Sequence, residues 1–117
     1  MSKTVEEVLG HHMSCLASSN VEGLLEDYTD QSILFSPDGV FEGREQIRTF
    51  LNGLVTMMLP AGTSFTSIRQ DKRGETVFLM WQAESSTMKF HLGTDTLVIR
   101  DGKIVTHTFA AAVQAKE

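Results

Sequence analysis

The spacing of apolar side chains changes once along the chain, from helical before residue 60 to extended after it. Thr4-Val5-Glu6-Glu7 has the form of a capping box, which predicts a helix start. Val5, Val8, Leu9, Cys15 and Leu16 then form one stripe of 3.6-residue period, with His12 in its middle. Ser19 and Asn20 restart a second helix with Val21, Leu24, Leu25 and Tyr28 on its inner face. Ser32 to Phe35 predicts a short strand, Pro37-Asp38-Gly39 a turn, and Val40-Phe41 its return. Ile47, Phe50, Leu51, Leu54, Val55 and Met58 predict a third helix, stopped by Pro60-Ala61-Gly62.

From Thr63 onward the pattern predicts strands at roughly 63–71, 75–85, 88–100 and 103–112, with Asp101-Gly102 a strong two-residue hairpin signal. Val77-Phe78-Leu79-Met80-Trp81 is apolar on both faces, so that strand must be covered on both sides. Helices would cover one side. A second copy of the chain would cover the other, a homodimer through the outer sheet face that includes Phe78 and Met80. The order α-α-β-β-α-β-β-β-β predicts an α+β fold, three helices from the N-terminal half on a curved, mainly antiparallel sheet with a conical pocket between.

Composition narrows the classes. A chain of 117 residues with 41% hydrophobic content predicts one domain, 1–117, with a core of its own. No run of about 18 apolar residues is present, so no membrane span is expected. MSKTVEEV lacks the basic-then-apolar layout of a signal peptide, which predicts a cytoplasmic protein. The net charge of −5 and the scattered Lys and Arg side chains argue against nucleic acid as a partner. The single Cys15 excludes an internal disulfide.

The candidate chemistry is sparse. Asp95 is in phase with Leu97 and Ile99, so an alternating strand turns it inward, where a carboxyl must be protonated or paired. His12 lies on an apolar helix face, either as a core histidine or as a functional one. His107 shares a face with Val105 and Phe109 and reaches a concave interior. His91 joins Asp95 only if the strand keeps register at Gly93. These groups lack ligand spacing, and His11 and His12 point to different sides of one helix, so no metal site is expected. Cys15 is expected to be a small buried thiol rather than a nucleophile. Phe35, Leu54, Met58, Trp81 and Phe109 are the large side chains expected around the cavity, which favours a small apolar ligand over a sugar or phosphate.

The stretch Val8 to Gly39, VLGHHMSCLASSNVEGLLEDYTDQSILFSPDG, together with Phe41-Glu42-Gly43-Arg44-Glu45-Gln46-Ile47 and the closing Leu97 to Val105, resembles the nuclear transport factor 2-like superfamily, in particular its SnoaL-like and ketosteroid-isomerase-like branch. The resemblance implies a cone-shaped, cystatin-like α+β barrel and a chemistry that needs no cofactor. It also implies roles. The isomerases' carboxylate base falls on Ser36, which cannot abstract a proton from carbon without an adjacent base and is left as a lining residue. Their oxyanion-stabilising tyrosine falls on His12, and their protonated aspartic acid falls on Asp95. The acid of the epoxide-hydrolase relatives falls on His107-Thr108-Phe109. His12 and Asp95 are therefore the catalytic candidates, with Phe35, Ser36, Leu54, Met58, Trp81, His107 and Phe109 as binding residues. Two functions stay open: an isomerase-, cyclase- or hydrolase-type enzyme on an apolar carbonyl compound, or a non-catalytic module that binds a hydrophobic ligand or dimerises.

Overall fold

The computed structural model describes residues 3–116. Thr4 caps the first helix, α1 (Val5–Ala17): its hydroxyl accepts from the Glu7 amide, and its own amide donates to the Glu7 carboxylate. Asn20 caps α2 (Val21–Leu25) by accepting from the Gly23 amide at 3.0 Å. Gly23 is tightly packed, since a Cβ there would lie 2.6 Å from Cys15 Sγ. That contact seats the short second helix against the first.

Tyr28 is not on the second helix. The helix ends at Leu25, and Tyr28 opens a strand, β1 (Tyr28–Ser36), longer than the Ser32–Phe35 segment that its apolar run predicts. Tyr28 and Thr29 favour extended backbone, and Tyr28 pairs with Ile104 across a neighbouring strand. A turn at Pro37-Asp38 leads to β2 (Gly39–Glu42). The third helix is also modified: α3 (Gly43–Gly53) passes into a single π-helical stretch, Leu54–Met58, before Pro60. Strands β3 (Ser64–Arg73), β4 (Thr76–Glu84), β5 (Met88–Arg100) and β6 (Lys103–Ala115) complete the chain. Asp101 and Gly102 join β5 to β6 with φ of 52° and 78°, as a hairpin turn with two positive-φ residues requires.

The six strands form one sheet in the order β2-β1-β6-β5-β4-β3. All pairings are antiparallel except β1 with β6, which is parallel and sets Leu34 beside His107. Register shifts at Ser67/Arg69, Trp81/Ala83, Phe90/Leu92 and Val98/Ile99 mark places where the strands can bend. The three helices pack on the curled sheet, as the α+β cone architecture requires. Val8, Leu24, Leu34, Ile47 and Ile104 are wholly buried in the main core, and a smaller cluster around Leu59 and Phe90 closes the far end. Between the helices and the sheet the side chains leave a cavity of about 240 Å³. Among the described residues no helix is long and apolar enough to cross a membrane.

Candidate active site

Trp81 on β4 and Gly93 on β5 face each other across the sheet. A Cβ on Gly93 would lie 2.3 Å from the six-membered part of the indole, so only glycine lets the ring lie flat over the β5 backbone. In that position Trp81 Nε1–H donates to Asp95 Oδ2 at 2.7 Å. Asp95 Oδ1 lies 2.7 Å from His107 Nε2, and the other ring nitrogen, Nδ1, lies 2.9 Å from the Tyr28 hydroxyl. Four residues from four strands thus form one chain of hydrogen bonds: Trp81, Asp95, His107 and Tyr28.

Trp81 can only donate, so the oxygen that it meets acts as an acceptor. With the His107 proton on Nε2, the other oxygen accepts too, and Nδ1 accepts from Tyr28. Asp95 is then an anion held by two donors. With the His107 proton on Nδ1 instead, Asp95 is the protonated acid that the resemblance implies, donating to Nε2 while Tyr28 accepts from Nδ1. Burial pushes the Tyr28 hydroxyl well above its ordinary range, and the negative charges of Asp95 and Asp27 add to the shift. Tyr28 is therefore neutral.

His12 comes from α1, and its ring sits edge-on to both Tyr28 and His107, with centroids 6.0 Å away in each case. Asp95, His12 and His107 all line the cavity. The carboxyl and imidazole that bond directly are Asp95 and His107, with His12 beside them. Behind His12 is Asp27, 1% exposed, whose Oδ2 lies 3.5 Å from His12 Nδ1 and whose Oδ1 lies 2.8 Å from His11 Nδ1. The two adjacent histidines do not diverge, as expected from their helix positions, but converge on one carboxylate.

Leu54, Trp81 and Phe109 line the cavity with Phe50 and Leu97. Trp81 and Phe109 stack with ring planes 19° apart. Three other candidate residues lie elsewhere. Phe35 is 43% exposed on β1, because the strand alternation that buries Ser32 and Leu34 turns it to the opposite face. Ser36 is spent on the turn, donating to the Gly39 carbonyl and accepting from the Asp38 amide. Met58, in the π-helical stretch, packs against the cluster of Leu59, Ala83 and Phe90 and does not border the cavity. Met80, expected on the outer face, borders the cavity. His91 bonds Gln114 at the surface. Among the described residues no three His, Cys, Asp or Glu side chains converge on a point that could hold a metal.

Asp27 and Tyr28 carry no motif at all. The only local sign of Tyr28's place was its strand-favouring pair with Thr29, which the helical spacing from Val21 obscured.

The folded chain has clear relatives in architecture. It is similar to the epoxide hydrolase/cyclase-like enzyme SalBIII, which acts in pyran ring formation in the polyether salinomycin, at 18% identity and a TM-score of 0.77, with 96% of this chain and 95% of that one covered. An NTF-2 like protein of Burkholderia xenovorans LB400 superimposes at 19% identity and a TM-score of 0.75, covering 92% of this chain and 82% of the other. A de novo designed protein with a curved β-sheet gives 18% identity and a TM-score of 0.76, with 92% and 84% covered. At such identities the likeness establishes the fold alone. Comparison with curated proteins gives no match. The model of the SnoaL-like domain matches residues 9–107, which takes in every side chain of the hydrogen-bonded chain, and the protein belongs to that family.

Proposed function

We propose that the protein is a cofactor-independent enzyme that moves a proton on a small apolar carbonyl compound. The observation that carries this reading is the Asp95 carboxyl group, 2.7 Å from Trp81 Nε1 and 2.7 Å from His107 Nε2, inside a mainly apolar cavity that His12 also lines. A carboxylate offers about four acceptor positions, and two are left for a substrate. Asp95 takes a proton from the carbon beside the carbonyl, and the C–H electron pair becomes a C=C bond. The carbonyl oxygen takes a proton from the protonated His12 ring. The Asp95 proton then goes to a different carbon of the conjugated system while the enol O–H returns its proton to His12, which completes an isomerisation. Attack of the enol carbon on an internal carbonyl, whose oxygen takes the Asp95 proton while the enol O–H returns its proton to His12, completes a cyclisation. Acid–base assistance of this kind contributes roughly 10²–10⁴-fold. The cavity, about 240 Å³, is smaller than the roughly 300–1,000 Å³ that accommodates drug-sized ligands, which points to a small ring.

The test is deuterium exchange. Small cyclic ketones and enones are incubated with the protein in heavy water, and the protons beside the carbonyl are followed by NMR. Asp95→Asn should lose the acceleration by roughly 100-fold or more. Trp81, the single tryptophan, lines the cavity and reports binding by its fluorescence. Ligands that bind but exchange at the buffer rate would leave a binding module, the second reading, which is favoured by both Asp95 oxygens already having protein donors.

The same reading includes a homodimer through the outer sheet face at Phe78 and a cytoplasmic setting, in keeping with a free buried thiol at Cys15. A light-scattering mass of 13.0 kDa rather than twice that would remove the dimer.

A further inference from the structure

The role of His12 in the proposed reaction depends on which ring nitrogen holds its proton when the ring is neutral. Two observations bear on this. Among the described residues, Asp27 Oδ2 is fully buried and has no hydrogen-bond partner, and the same is true of His12 Nδ1. These two orphaned atoms lie 3.5 Å apart. Asp27 Oδ1 is already engaged with His11 Nδ1 at 2.8 Å.

A buried acceptor without a donor is costly, and two bare lone pairs facing each other are costlier still. One proton between them satisfies both atoms. We infer that Asp27 is a positioning residue that fixes the proton of neutral His12 on Nδ1, so that Nε2 is the nitrogen through which His12 exchanges protons with the cavity. The inference rests on the catalytic reading for its consequence, though not for its geometry.

The surroundings of His12 are charged and titratable on several sides. Its own helix contributes His11 and Cys15, the corner before β1 contributes Glu26 and Asp27, and the strands contribute Tyr28, Asp95 and His107. His11 turns its Nε2 to Cys15 Sγ at 3.5 Å and to Glu26 Oε1 at 3.7 Å, so it faces away from His12. Tyr28 and His107 present ring edges or faces. Asp27 is the carboxylate that meets a ring nitrogen of His12.

Neutral His12 with Nδ1–H has a bare Nε2 that accepts a proton from the medium or from product. Once protonated there, the ring donates Nε2–H to a substrate oxygen while Asp27 still holds Nδ1–H. The same side chain therefore serves both halves of the proton cycle without turning over.

The experiment is long-range nitrogen–proton NMR correlation on histidine-labelled protein, titrated until the rings are neutral, with His12→Asn used to assign the signals. The parent should show His12 mostly as the Nδ1–H tautomer. Asp27→Asn should shift the majority to Nε2–H, because the amide N–H can donate to a bare Nδ1. An Nε2–H majority in the parent would overturn the inference, since the proton would then sit on Asp27. If Asp27→Asn does not fold, the parent spectrum decides alone. A parent with the Nδ1–H tautomer that exchanges no ketone proton keeps the role of Asp27 and removes the catalytic reading.

Discussion

Gly93 and Trp81 are cross-strand partners, and the missing side chain of the first sets the direction of the second. Because the indole can lie on the bare backbone of β5, its N–H meets Asp95, two residues further along the same strand. The Asp95 carboxyl group is thus oriented by a glycine that does not itself line the cavity.

Gly93→Ala should test this directly. Its Cβ would lie 2.3 Å from the indole, and forcing the ring away both overpacks the interior and strips Asp95 Oδ2 of its donor. The expected cost is about 1–3 kcal/mol for the overpacking alone, measured by urea denaturation, with ligand-dependent Trp81 fluorescence altered. Gly10→Ala is the matched control. Among the described residues nothing lies within 4 Å of a Cβ there, and the residue is inside α1, so stability should rise by about 0.4–1 kcal/mol. A Gly93→Ala protein as stable as its parent would break the link between Gly93 and the site.

Tyr28 is the single tyrosine of the chain, so its ionisation can be followed by tyrosinate absorbance without interference. Burial first, then the charges of Asp95 and Asp27, hold the phenol neutral in the folded protein well above its usual range. The unfolded chain releases that proton near pH 10, so above that pH the folded state binds more protons than the unfolded one and stability falls as pH rises. No tyrosinate should form at pH 10 until the circular-dichroism signal of the sheet is lost. Ionisation in the intact fold near pH 10 would contradict the buried bond to His107.

Cys15 should be chemically inert. Burial raises its thiol above the ordinary value, and the Asp27 and Glu26 carboxylates raise it further, so little thiolate is present at neutral pH. Alkylation by iodoacetamide should be slow in the native protein and fast in urea. Cys15→Ser should leave any ketone-exchange activity in place. Rapid native labelling would bring back a nucleophilic role, with His11 Nε2 at 3.5 Å as its base.

The sequence carried the architecture well because periodicity records burial. The stripe from Val5 to Leu16 and the alternation around Leu97 and Ile99 each announce which face turns inward, and Asp101-Gly102 announces its turn. Leu54, Trp81, His107 and Phe109 follow from the same logic, as residues on inward faces that border the cavity. Phe35 obeys the alternation itself, since Ser32 and Leu34 turn inward and Phe35 outward, whereas Met58 lies in a π-helical stretch that the apolar spacing does not announce. Asp27 and Tyr28 were hidden for a different reason. Their partners are His12, His11 and His107, and the meeting of Tyr28 with His107 depends on strands β1 and β6 lying side by side, which no local spacing encodes.

That parallel pairing has a consequence for how the molecule comes into being. His107 follows Tyr28 by 79 residues, so during synthesis the phenol waits, unpaired, until that length of chain has emerged. Such distant contacts slow folding, because a long loop must close before they form. A nascent chain stalled before Lys103 would hold its helices and the β3–β5 meander yet expose two bare edges, where β1 and β5 should each meet the absent strand. β6 is thus the strand that completes the sheet and the site together.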